Sequence, residues 1–133
     1  MAQYLYEGGT DIKSSQSLVV VNLLLIHFQD EHNVHIIYSP HLDLSGYGDT
    51  LETAKTSFGV ALEDFVEYTV NKKTLGKVLS ELGWKLKGEH RKPGTVIAPG
   101  IKSVIRDNNY VSEIFDKYPV NTYHQEIGVP GCV

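Results

Sequence analysis

Tyr38–Phe65 reads YSPHLDLSGYGDTLETAKTSFGVALEDF, an apolar run that passes through two glycines into a helix start. Gly46-Tyr47-Gly48 predicts a tight turn, after which the chain coils from Thr50 onward. Asp49 is placed to cap the first turn, and Glu52, three residues on, to reach back to the cap N–H. That is a capping box worth roughly 1 kcal/mol at the cap, and both carboxylates suit the positive end of the helix dipole. Leu51, Ala54, Phe58, Ala61, Leu62, Phe65 and Val66 recur at steps of three and four, which puts them on one stripe. Burying Phe58, Leu62, Phe65 and Val66 against a sheet is worth roughly 1.5–3 kcal/mol per residue. A strand, a turn and a helix folded back onto the strand is the expected unit.

Upstream, Leu18 to Gln29 is rich in Val, Leu and Ile with almost no alternation, as a central strand covered on both faces requires. Asp30-Glu31-His32-Asn33 supplies a turn and Val34 to Ser39 a second strand, so the two form a hairpin. Pro40 interrupts the ladder and leaves Leu42–Leu44 as at most a short third strand near an edge. Downstream, the helix ends at Asn71-Lys72-Lys73, and Thr74 opens a short second helix to Leu82. Gly83 supplies the left-handed residue that stops this helix and lets Trp84 fold back on Leu79. Residues 85–94 read as a charged, flexible connection. Residues 101–117 form a weaker helical region broken at Asn108-Asn109 and stopped by Pro119. Val120 to Val129 is a final strand with Tyr123, Ile127 and Val129 on one face. The expected class is α+β, with a small, mainly antiparallel sheet and a β-β-β-α core. Residues 1–16 are an N-terminal arm, 17–71 the core and 72–133 a basic helical linker and extension within the same domain.

The 133 residues suffice for one core. One cysteine, Cys132, rules out an intrachain disulfide, and the longest apolar run is too short to span a bilayer. Without a signal-like start, the expected location is the cytoplasm, away from membranes. The net charge of −4 conceals an asymmetry: residues 1–71 carry −8, residues 72–106 carry +7 and residues 107–133 carry −3. Such blocks favour charged partners, although opposite charges can also meet within the fold.

Ser39-Pro40-His41-Leu42 followed by Gly48-Asp49-Thr50-Leu51-Glu52-Thr53-Ala54 resembles the core of the HicB-like antitoxin family, over about residues 17–70. The resemblance implies a three-stranded sheet with a helix across it, similar to a reduced ribonuclease-H core. It also implies a protein that binds and neutralises a small, basic, RNA-cleaving HicA-like toxin. Residues 72–133 match neither the helix-turn-helix nor the ribbon-helix-helix with which many relatives bind operator DNA, so the resemblance does not extend to that activity. An acidic face meeting a basic ribonuclease would gain on-rate and specificity from complementarity. Asp30, Glu31, Asp43, Glu63, Asp64 and Glu67 are the partner-binding residues expected on that face. A homodimer or higher oligomer is expected as well, through the apolar strands.

Catalysis finds little support. Asp30, Asp43 and Asp49 fall on separate turns, unlike the convergent carboxylates of a two-metal nuclease. His32 and His35 would point to opposite faces of a strand, and the other histidines lie in unrelated contexts. No phosphate-binding loop or nucleophile elbow is present, so no catalytic residue, metal or cofactor is expected. The alternative function is nucleic-acid binding, in which Lys85, Lys87, Arg91 and Lys92 contact the backbone while Trp84 stacks on a base. An interaction module without a toxin partner is a further alternative.

Overall fold

The computed structural model describes residues 18–87 and 95–130. In chain order these form β1 (Leu18–Gln29), β2 (His35–Ser39), β3 (Leu44–Gly48), α1 (Leu51–Asn71) and α2 (Leu75–Glu81). They continue as β4 (Lys85–Lys87), β5 (Thr95–Ile97), α3 (Ile101–Asp107), α4 (Asn109–Lys117) and β6 (Asn121–Pro130). The class is α+β. A four-stranded antiparallel sheet runs in the order β3-β2-β1-β6, and β4 and β5 make a separate antiparallel pair. The strand expected from Val120 onward thus lies beside β1, pairing with it from Leu18↔Pro130 to His27↔Asn121. Among the described residues, no helix is long and apolar enough to cross a membrane.

β1 is unalternating because both of its faces are covered. Val21, Leu23 and Leu25 point to one side, where with Ile37 and Ile127 they meet Ala54, Phe58, Leu62 and Val66 of α1. Ile26 and Phe28 point to the other, where with Ile36 and Tyr38 they meet Val111 and Ile114 of α4. The helix stripe expected from Leu51 to Val66 therefore faces the sheet, with Phe65 packed at its margin. The β1–β2 hairpin forms as expected, its turn closed by Asn33 in the left-handed region (φ 64°) and by the Asp30 carboxylate, which accepts from His32 N and Val34 N.

The helix start differs from expectation. Thr50, not Asp49, is the cap: its hydroxyl accepts from Thr53 N at 3.1 Å, and Thr53 Oγ1 accepts from Thr50 N at 3.1 Å. Asp49 lies one residue too early to reach those donors, and Glu52 is simply a carboxylate in the first turn. The glycines also serve another purpose. Gly46 and Gly48 lie within β3 rather than in a turn, opposite Ile37 and His35. A Cβ at Gly46 would sit 2.3 Å from Phe58 N, and one at Gly48 would sit 2.1 Å from Thr53 Oγ1. Bare backbone there lets α1 lie directly on β3. The third strand is consequently Leu44–Gly48, later than expected, because residues 40–43 are taken up by a turn in which Asp43 adopts φ 57°.

α2 ends as its Gly83 foretells. Gly83 has φ 93°, with Trp84 N donating to the Leu79 carbonyl and Gly83 N to that of Ser80, the paired bonds of a Schellman stop. The stretch read as a flexible connection, residues 85–94, instead opens with β4, and β5 follows directly after it. The helical region of residues 101–117 breaks at Asn108, as expected, into α3 and α4. The N-terminal arm, Arg91, Lys92 and Cys132 lie outside the described residues.

One residue ties the halves of the chain together. β2 pairs with β1 only at Ile26–Gln29, which leaves Leu24 N–H without a strand partner on that side. The buried His41 ring fills the place: Nδ1 accepts from Leu24 N at 3.3 Å, and Nε2 lies 3.0 Å from the Pro99 carbonyl. A carbonyl only accepts, so Nε2 carries the proton and the ring is neutral. Burial, partly offset by the bond to Pro99, holds its pKa below the usual histidine value. The backbone oxygen of His41 accepts in turn from the Trp84 indole at 2.9 Å.

Candidate functional site

Tyr38 leaves β2 on the α4 side of the sheet, and its hydroxyl heads a short hydrogen-bonded chain. Asn108 Nδ2 donates to Tyr38 Oη at 3.1 Å, and Tyr38 O–H donates to Asp43 Oδ1 at 2.8 Å. Asn108 is fixed independently, because its Oδ1 caps α4 by accepting from Val111 N at 3.0 Å. Tyr110, in the first turn of α4, meets the Tyr38 ring edge-on, with centroids 4.8 Å apart at 88°. Burial above all, with Asp43 adding to it, pushes the Tyr38 phenol up to about 12. The phenol therefore stays a proton donor and fixes the carboxylate in front of it.

This network forms the floor of an open groove of about 670 Å³ between β3 and the α3–α4 corner. Tyr47 and Tyr110 project into it, 55% and 40% exposed, and Asp43, Asp107 and Glu81 supply carboxylates around them. Burial raises the Tyr110 pKa, and the Tyr47 phenol, Glu113, Asp30 and Asp43 raise it further. These groups thus share one electrostatic neighbourhood. At the adjoining end, the Tyr118 hydroxyl donates to Glu31, which lifts the phenol to about 12 and lowers the Glu31 carboxyl. Asp107 pairs with Arg106 and Glu81 with Lys77, but all four side chains are well exposed, so these bonds are weak and exchangeable.

The six carboxylates expected to bind a partner do not share one face. Asp30, Glu31 and Asp43 lie on the α4 side, around the tyrosines. Glu63, Asp64 and Glu67 lie on α1, across the sheet from them. Chain order conceals this, because α1 covers one face of the meander and the turns at either end of β2 serve the other. Tyr47, Tyr110, Asp107, Glu81 and Glu113 escape a reading of the sequence. Tyr47 sits between two glycines and the three carboxylates lie on three different helices, so no local pattern joins them. Their meeting depends on contacts such as Tyr38–Asn108, 70 residues apart.

Of the residues expected to contact nucleic acid, Trp84 is 3% exposed, with its indole N–H engaged by His41, so its face is not offered to a base. Lys85 is exposed and Lys87 lies in β4. The histidines also differ from expectation. His27 and His35 lie on the same face of the hairpin, Nε2 to Nδ1 3.0 Å apart, with their rings within 4° of parallel. The pairing Gln29↔His35 makes them diagonal neighbours. Burial, with His35 and Lys55 nearby, lowers the His27 pKa.

Compared with known proteins, the chain matches no family model, no curated protein and no solved structure.

Proposed function

We propose that this protein is a non-enzymatic binding module that captures a basic protein, in the manner of a HicB-like antitoxin holding a small, basic, RNA-cleaving HicA-like toxin in the cytoplasm. The observation that carries this reading is the groove, where a carboxylate fixed by a permanently protonated phenol stands among exposed tyrosines. Tyrosines offer large, rigid contact area at low entropic cost, and a guanidinium or ammonium group is attracted both to their faces and to the surrounding carboxylates. The β1-β2-β3 meander with α1 packed on one face, extended by β6, supports this reading, in which the fold would be a variant of a reduced ribonuclease-H-like core. Asp43 is the strongest contact residue, and Asp30 and Glu31, on the turn at the other end of β2, extend the acidic surface beyond the groove. Glu63, Asp64 and Glu67 would serve only a partner that also reaches α1.

The test is a titration of a HicA-like toxin with this protein, reading both complex formation and RNA cleavage. Cleavage should fall as the complex forms, and affinity should weaken steeply with salt. Asp43→Asn and Tyr110→Ala should each lower affinity by about tenfold or more, as expected of central contact residues. Undiminished cleavage, or affinity indifferent to both substitutions, would sink the reading. A parallel titration with labelled RNA tests the alternative, since tight, salt-sensitive RNA binding without the toxin would favour it.

A further inference from the structure

The two edges of the main sheet are unlike. β3 is five residues long, and α1 lies across its glycines. β6 runs for ten residues, pairs with β1 along its length, and among the described residues meets no strand on its other side. Long edge strands are usually blunted by lysine, by an internal proline or by a bulge. β6 has none of these: its sequence is NTYHQEIGVP, with proline only at the end. Its pairing with β1 advances one residue for one without interruption, so it is regular throughout.

We infer that the free edge of β6 is an interface for a second copy of this chain, the two β6 strands pairing antiparallel about a two-fold axis at Gln125. The charge pattern selects both the occupant and the register. Glu126 is the one carboxylate of β6 and His124 its one basic side chain, and both are exposed. An axis through Gln125 sets His124 against Glu126 of the second copy, twice over, on the α4 side of the sheet. The same axis sets Tyr123 opposite Ile127 of the second copy on the α1 side, where Ile127 is already buried in its own core, so this pair fits the register without opposing charges. An axis through Glu126 would instead oppose two carboxylates, and one through His124 two imidazoles. A self-complementary strand closes by two-fold symmetry and leaves no further edge of its kind open. The product is a continuous eight-stranded sheet, with the two grooves at its far ends.

The experiment combines light scattering with cross-linking of the full chain. The wild type should have twice the 14.8 kDa chain mass. His124→Glu, which opposes like charges twice, should weaken the dimer at least tenfold with an unchanged circular dichroism spectrum. The swap His124→Glu with Glu126→His should restore it. In a Cys132→Ser background, Gln125→Cys should form a dimer-linking disulfide on mild diamide oxidation, because the two copies of that position face each other. Thr122→Cys should not, since its two copies would lie roughly 20 Å apart. A monomeric wild type overturns the proposal. So does a dimer in which Gln125→Cys stays unlinked and the charge swap has no effect, because association then uses another surface.

Discussion

The His41 ring accepts from Leu24 N–H and donates to the Pro99 carbonyl, so removing it orphans two backbone groups at once. Each orphaned buried group costs about 1–3 kcal/mol. His41→Ala should therefore lower the free energy of unfolding by more than either bond's net worth, measured as a fall in urea midpoint. The same residue makes stability depend on pH. His41 and His27 both have folded pKa values held below the ordinary 6.5, chiefly by burial. The unfolded chain takes up these protons near 6.5 and the folded chain only at lower pH, so the unfolded state binds more protons in between. Their contribution is complete above about 6.5 and is lost as pH falls through the folded values. Urea midpoints should decline on acidification below about 6.5, and less steeply in a His27→Gln variant.

α1 meets the sheet through absent side chains as much as through present ones. Phe58 and Leu62 are buried, but they reach that depth because Gly46 and Gly48 keep the β3 surface flat. Gly46→Ala would drive a Cβ into helix backbone, which cannot yield as a flexible side chain does, so the helix must lift and open gaps around Phe58. The expected loss is of the size of a core-packing defect, about 2–5 kcal/mol. Gly59, on the same helix, has nothing within 4 Å of the place a methyl group would take, and Gly59→Ala should stabilise by about 0.8–1 kcal/mol through helix propensity. Denaturation of the pair checks both signs. Loss at both positions would mean that α1 does not sit on β3 as described. The short α4 depends differently on its surroundings: Asn108 caps it and also steadies Tyr38, so this helix start belongs to the groove.

Taken together, the four strands place the groove and the β6 edge on opposite sides of the sheet. Partner capture and self-association should accordingly be separable. Asp43→Asn and Tyr110→Ala should reduce affinity for a basic partner and leave the mass in light scattering unchanged. His124→Glu should halve the mass and leave the affinity of each chain for that partner within about twofold. A substitution at one site that moved both readouts would show that the two surfaces are coupled through the sheet. The charge blocks of the chain gain meaning only at this level. The acidic first half is divided between two faces by β1 and β2, and part of the basic middle is spent on exposed pairs such as Lys77–Glu81 and Arg106–Asp107.

Much of this fold is legible in the order of its residues. The β1–β2 hairpin, the α1 stripe, the Gly83 stop, the break at Asn108 and the final strand are all written in neighbours within a turn or two, where periodicity and backbone preference act directly. The α1 cap reads one residue early, because Asp49 and Thr50 are both good caps and only the path of the chain out of β3 chooses between them. The roles of Gly46 and Gly48, the His41 bridge and the gathering of Tyr38, Asp43, Asn108 and Tyr110 are not legible. Each depends on segments tens of residues apart being brought to van der Waals distance, and no local pattern encodes that distance. Residue order settled which elements form and which of their faces are apolar, because those follow from short-range sterics and solvation. Packing alone settled which polar groups stand together, because their partners are chosen by where the sheet and helices come to rest.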